Sequence, residues 1–392
     1  MEDFFRTEQH TALLEAARSV REVVESTAEQ AERDGTLTQE ALGALTEAGL
    51  FRSFLPRELG GGEAEPLALI EVVEEVASQD GSTGWCLGMQ GIISGIAAAL
   101  LPEEGAREVF ADPTRAICAG GFPPMGRARP IEGGYRVSGH FRFGSGCRHA
   151  TWMVLTCVEV EGDQPRLDAG VPRMRSFCVP RQRVTILDNW QSAGLEGTAS
   201  CDYTIDDEFV PDTHSFAMGS DAPRRGSPLF ELPVLSVAAV PHAGLALGLG
   251  RQALLEIAEQ ARGVARLGST SPLAERQVFQ RDFARATTRL RGARGLVFSS
   301  YQRLWRAYIE GRESSLEDRA DAGAATTQAY EVATEVATFA FRAAGARALF
   351  REGRLQRCFR DIQAGSQHIV PGDESWERFG QVYLGVGRPV MV

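Results

Sequence analysis

Apolar side chains in this chain repeat at two different periods, and the order of those periods limits the fold more than any other feature. In the first hundred residues they fall at helical spacing, at Leu13, Ala17, Val20 and Val24 and again at Leu69, Val72, Val73 and Val76. Pro56 and the run Gly60-Gly61-Gly62 interrupt this once, as a loop between helices. From about residue 118 to 211 the texture changes to short β-branched or alternating segments divided by glycine and proline, at 135–137, 152–160, 176–179, 183–187 and 203–205. A polar stretch containing Pro223, Arg224, Arg225 and Gly226 follows. Helical stripes then return from about 235 to 355, as Leu254, Ile257, Ala258 and Ala261, and as Val332, Val336, Phe339 and Ala343. Helices, then strands, then long helices, with no βαβ alternation, argue against a parallel-sheet nucleotide-binding fold and for a mainly α chain with a central β domain. The expected division is an N-terminal helical domain over 1–115, a β domain over 116–215 and a C-terminal helical domain over 230–392.

One glycine motif tests that reading. Gly248-Leu249-Gly250-Arg251-Gln252-Ala253 matches the dinucleotide fingerprint G-x-G-x-x-A. The fingerprint works only where a strand turns into a helix, so that amides at the helix start meet a pyrophosphate. Here Ala243, Leu245, Ala246 and Leu247 continue a helical pattern into it, so close helix packing is expected and a built-in nicotinamide site is not.

The chain has 392 residues, 43% hydrophobic and 24% charged, which is ample core-forming material for more than one domain. A net charge of −11 gives no global attraction to nucleic acid or to an anionic membrane, although Arg354 and Arg357 form a local basic cluster. Seven scattered cysteines lack any C-x-x-C pair or zinc spacing, so no metal site is expected and a reduced, cytoplasmic setting is. Glu2 and Asp3 open a polar N-terminus unlike a signal peptide. The most apolar window, 92–101, is about half of the roughly twenty residues a membrane span needs, so no membrane partner is expected.

Four segments in order carry a resemblance to a known family. They are Tyr135 to Trp152 (YRVSGHFRFGSGCRHATW), Asp207-Glu208-Phe209-Val210-Pro211, the stretch Ser271-Pro272-Leu273 through Gln277 to Gln280, and Ala344 to His368 (AGARALFREGRLQRCFRDIQAGSQH). Together they resemble the acyl-CoA dehydrogenase superfamily, and the last resembles its branch of two-component flavin monooxygenases. The resemblance implies an N-terminal helical domain, a middle β-barrel or sandwich domain and a C-terminal four-helix bundle. It implies reduced FMN or FAD supplied by a separate NAD(P)H:flavin reductase, with O2 as co-substrate. A C4a-hydroperoxide would hydroxylate a small aromatic molecule of the phenol or indole type, or an amine. Assembly as a homotetramer is implied as well.

Two departures separate the chain from true dehydrogenases. Arg360-Asp361 is followed by Ile362-Gln363-Ala364-Gly365-Ser366-Gln367-His368, where a dehydrogenase places its glutamate base, and no carboxylate comes before Asp373 and Glu374. The thioester-side loop is also missing, because 118–125 reads CAGGFPPM.

By resemblance, His368 and Ser145 are the catalytic candidates, the serine near flavin N5 and the histidine on substrate or hydroperoxide. Histidine suits proton handling near neutral pH. A turn serine and an interfacial histidine are the plainer alternatives. Phe143, Ser145, Gly146, Arg262, Arg266, Phe279 and Gln367 are the cofactor candidates, with Gln277 and Phe279 as contacts to a neighbouring subunit. Arg266-Leu267-Gly268 departs from the family's Arg-x-x-Phe-Gly, so the arginine register is open. Trp85, after the capping pattern at Asp80, and His149 are candidates for substrate contact, or for core packing. His10, His140, His214 and His242 carry no motif and are read as packing or surface residues. Two competitors remain: a dehydrogenase or oxidase whose base is Glu374, and a catalytically silent scaffold.

Overall fold

The computed structural model describes residues 6–217, 221–226, 228–263 and 271–386. Six helices come first: α1 Glu8–Ser19, α2 Arg21–Asp34, α3 Gln39–Glu47, α4 Pro66–Gln79, α5 Gly81–Leu100 and α6 Glu103–Val109. Ten strands follow: β1 Cys118–Ile131, β2 Gly134–Gly144, β3 Trp152–Glu161, β4 Gln164–Pro165, β5 Leu167–Asp168, β6 Val171–Pro172, β7 Met174–Pro180, β8 Thr185–Ile186, β9 Cys201–Pro211 and β10 Ser215–Phe216. Helices resume with α7 Val234–Arg262, α8 Gln277–Ile309, α9 Leu316–Ala344, α10 Arg354–Gly365 and α11 Glu374–Leu384.

Local chemistry sets the helix starts. Pro66 opens α4, where a missing N–H costs nothing. Asp80 caps α5, its carboxylate accepting the Thr83 amide at 2.8 Å. Ser315 caps α9 in the same manner through Asp318 N–H. α5 runs for 20 residues without a charge, twice the apolar window expected from sequence, yet it is buried within the fold, as is most of α7. Both are core helices of the kind that meet a membrane-span test on composition alone. The Gly248 motif lies inside α7. A Cβ at Gly244 or Gly248 would stand 2.4 Å from the carbonyl of Ile70 or Glu74, so these glycines let α7 press onto α4.

The sheet order is β10-β7-β3-β1-β2-β9-β8, with β4 attached to β3 and β5-β6 forming a separate ribbon. Its two faces serve two cores. Met153, Leu155 and Cys157 of β3 join Phe141, Phe177 and Tyr203 in a core internal to the β domain, whereas Val154 packs into the large helical core. Burial on both faces explains why β3 reads as an almost unbroken apolar run. The periodicity misses β1. Its Gly120-Gly121 and Pro123-Pro124 look like turn punctuation, but they mark register shifts against β3 between Gly120 and Gly126. At Gly120, φ is +118° and a Cβ would fall 2.0 Å from the Val154 carbonyl oxygen.

Candidate active site

Asp80 starts α5 so that Trp85, in the next turn, faces the meeting point of strands and long helices. Its indole N–H donates to Ser145 Oγ at 2.9 Å. The ring stands edge-on to His242, 5.2 Å between centroids, and to His368, at 5.8 Å. One side chain of the first helical region therefore touches the β domain's serine and both histidines of the C-terminal region.

Ser145 sits in the turn after β2. Phe143, just before it, has φ of +60° and is 61% exposed, a left-handed backbone on a bulky residue that leaves an aromatic ring in solvent. Gly146 has φ of +75°, and a Cβ there would lie 2.3 Å from Gln90 Nε2. The turn backs onto the loop before β9, where Leu195 and Ala199 also adopt left-handed φ of 54° and 46°. That loop presents two more hydroxyls. Ser145 Oγ lies 2.8 Å from Ser200 Oγ, which lies 2.7 Å from Thr198 Oγ1, and Thr198 donates to the Leu195 carbonyl at 2.7 Å.

The histidines come from α7 and from the segment after α10. His368 Nδ1 accepts the Val370 amide at 3.2 Å, which assigns the ring proton to Nε2. Burial holds this imidazole down at about 4, so it is neutral at pH 7. His242 is fully buried, with ring centroids 4.3 Å from His368. Its Nδ1 meets the Tyr330 hydroxyl at 2.9 Å, and its Nε2 has no hydrogen-bond partner among the described residues. Burial, then the neighbouring His368, push His242 well below the usual histidine range.

His149 stands one step away. Its Nε2 bonds Gln90 Oε1 at 2.8 Å, and Gln90 reaches toward the Gly146 carbonyl. Burial lowers His149 to about 4, and its Nδ1 is buried without a partner among the described residues.

The structure thus brings Trp85, Ser145, Gly146 and His368 together, with His149 linked to them through Gln90 and Phe143 exposed on the adjoining strand end. The other expected cofactor residues lie differently. Arg262 is exposed as the last residue of α7, and Arg266 lies outside the described residues. Phe279 is buried and stacks on Phe283 and Phe339, so packing accounts for it within one chain. Gln367 and Gln277 are exposed. Glu374, the alternative base, is exposed in the first turn of α11. No group of three or more potential metal ligands occurs among the described residues.

Sequence reading missed Ser200, Thr198, Tyr330, Gln90 and above all His242, whose assignment to packing or surface overlooked its contact with His368. A signal existed: His242 stands beside Pro241 in the apolar run VAAVPHAGLALGLG, where an imidazole has to be buried and so needs a reason.

Comparison with known proteins agrees with this geometry. Residues 7–108 match the family model of the acyl-CoA dehydrogenase N-terminal domain, and residues 240–371 match that of the C-terminal domain. An indole-3-acetate monooxygenase of Pseudomonas putida is 30% identical over 90% of this chain and 89% of its own length. The oxygenase component of an FADH2-dependent resorcinol hydroxylase from a Rhizobium species is 28% identical over 97% of this chain and 96% of its own. The crystal structure of a 3-HSA hydroxylase from a Rhodococcus species superimposes with a TM-score of 0.88 at 25% identity, covering 97% of this chain and 98% of that one. With the Trp85, Ser145 and His368 cluster in place of a glutamate base, this chain belongs to the acyl-CoA dehydrogenase superfamily and, within it, to the branch of flavin-dependent monooxygenases.

Proposed function

We propose that the chain hydroxylates a small aromatic molecule of the phenol or indole type, or oxygenates an amine, using O2 and reduced FMN or FAD delivered by a separate NAD(P)H:flavin reductase. The observation that carries this reading is Trp85, which ties Ser145 to His368 through one hydrogen bond and one edge contact. Relatives whose names include indole-3-acetate monooxygenase and resorcinol hydroxylase support the aromatic class.

The residues present suit the edge of a flavin ring. Ser145 retains an unfilled acceptor position, Phe143 offers an exposed ring on a strained backbone, and His242 and His149 each bring an unpartnered buried nitrogen. When bound, the flavin supplies the oxygen activation, and the protein supplies position, proton handling and exclusion of water. Ser145 would hold the ring near N5. His368 presents its Nε2 proton as a neutral donor, because Val370 occupies the other nitrogen. As a neutral imidazole it would donate a hydrogen bond to a substrate oxygen and keep its proton. Trp85 and His242 pack their rings against the half-buried His368 imidazole, and Tyr330 packs behind His242. We also infer a cytoplasmic homotetramer, supported by seven free, buried cysteines and by the family's habit of assembly.

The test is turnover with a flavin reductase, NAD(P)H and a panel of phenols, indoles and amines, with mass detection of product. A product one oxygen atom heavier than its substrate is expected. Oxidation of an acyl-CoA without consumption of O2 would move the assignment to dehydrogenation.

A further inference from the structure

The hydroxyls behind Ser145 form a chain whose direction is fixed at both ends. At one end the Leu195 carbonyl can only accept; it receives the Thr198 hydroxyl at 2.7 Å and also the Trp190 indole N–H at 3.1 Å. Thr198 has one hydroxyl proton and uses it there, so in its contact with Ser200 the serine donates. Ser200 then has no proton left, so in its contact with Ser145, at 2.8 Å, Ser145 donates. At the other end the Trp85 indole N–H can only donate, and it fills one lone pair of Ser145 Oγ. What Ser145 can still offer is a single acceptor position.

Flavin N5 changes sign between redox states. In reduced flavin it bears a hydrogen and donates, and in oxidised flavin it is a bare acceptor. We propose that Ser200 and Thr198 are positioning residues that commit Ser145 to accepting, and that this makes the site select reduced flavin and release the oxidised form. The inference rests on the reading that Ser145 faces N5. It gives the chain a device suited to a flavin that arrives reduced from another protein and must leave oxidised after each turnover. The loop strain at Leu195 and Ala199 is consistent with that role, since it holds Thr198 and Ser200 in register.

The experiment measures dissociation constants of reduced flavin, under anaerobic conditions, and of oxidised flavin, each with FMN and FAD, on the intact protein. Wild type should favour the reduced form by about tenfold or more, the scale of one hydrogen bond made against one acceptor left facing an acceptor. Ser200→Ala frees the Ser145 proton to turn toward oxidised N5, so oxidised flavin should tighten and the ratio should fall by about tenfold. Thr198→Val breaks the chain one link further back and should do the same, while Thr198→Ser restores a hydroxyl and keeps the wild-type ratio. If both disabling variants keep that ratio while Ser145→Ala lowers it, the relay is overturned and the placement of Ser145 stands. If Ser145→Ala changes neither constant, the placement itself fails, and the relay with it.

Discussion

Two buried polar clusters lie close together in this chain, and they are satisfied in opposite ways. On α4, Glu71, Glu74 and Glu75 are carboxyl groups surrounded by partners. Glu71 meets His10 at 2.7 Å and Arg294 at 2.7 Å, Glu74 meets Arg294 at 2.9 Å, and Glu75 meets Arg251 at 2.9 Å. Burial alone would raise the Glu71 carboxyl, but bonds from His10 and Arg6 and the charge of Arg294 pull it down to about 2. Around Trp85 the groups are neutral and left open: one acceptor position on Ser145, the Nε2 of His242 and the Nε2 proton of His368. Paired carboxylates fasten α1, α2, α7 and α8 to α4, although His10 Nδ1 and Arg251 Nε in the same cluster have no hydrogen-bond partner among the described residues. The open positions around Trp85 await a ligand, and the cost of burying them unpaired is what marks the site.

Removing one member from each cluster tests this contrast. His368→Ala should lower turnover by roughly 10²–10³, the usual range for losing one hydrogen-bond donor aimed at a reacting oxygen, while leaving the unfolding midpoint near wild type. Glu71→Ala should do the reverse. It leaves the charges of Arg6 and Arg294, and the imidazole of His10, against a vacated carboxylate, at about 3–5 kcal/mol of stability, with turnover per folded molecule retained. Urea unfolding and product formation on both variants decide it. Turnover lost and stability kept in Glu71→Ala would erase the distinction.

Trp85→Phe probes the boundary, since an aromatic ring remains beside the histidines while the N–H to Ser145 is lost. A buried acceptor left without its donor costs about 1–3 kcal/mol, and the loss should appear in flavin affinity and in stability together. An unchanged flavin dissociation constant would show that Trp85 belongs to the core rather than to the site.

The contrast also explains how much could be read beforehand. The helix, strand, helix order follows from period, and period reports local burial, so it was legible. Ser145 and His368 were singled out because they stand in segments with family-like flanks, and the structure sets both against Trp85. His242 was not, because its role comes from a crossing of α7 with the segment after α10, which no spacing along the chain encodes. Thr198 and Ser200 were hidden for the same reason: the run Gly197-Thr198-Ala199-Ser200 reads as a connection until Ser145 is brought against it. β1 was lost because glycine and proline signal a turn and a strand irregularity with the same letters.

Asp361 belongs to neither cluster cleanly, which makes it the finest test of the difference. It follows Arg360 in the acidic and basic network of α10, as a member of the first cluster would, yet it is fully buried with one open valence. Oδ1 accepts the Leu195 amide at 2.6 Å, and Oδ2 has no partner among the described residues. Burial, then the charge of Asp80, raise its carboxyl to about 7 against the Leu195 amide and the pull of Arg360 and Arg357. A folded-state value above the unfolded one, near 3.9, means that folding takes up a proton between those two values. Stability from this group is therefore fully present below about pH 4 and is lost as pH rises through about 7, by at most ~1.4 kcal/mol per pH unit. Burial of His368, with its value near 4, tilts stability the opposite way over an overlapping range, so wild type alone cannot isolate the effect. Subtracting Asp361→Asn can, since the amide oxygen still accepts from Leu195 and cannot ionise. The variant should gain on wild type steadily from pH 5 to pH 7 and hold its lead above. A difference that stays flat with pH would mean that Asp361 is ionised throughout, paired like the glutamates of α4, and that the loop carrying Thr198 and Ser200 is anchored by charge after all.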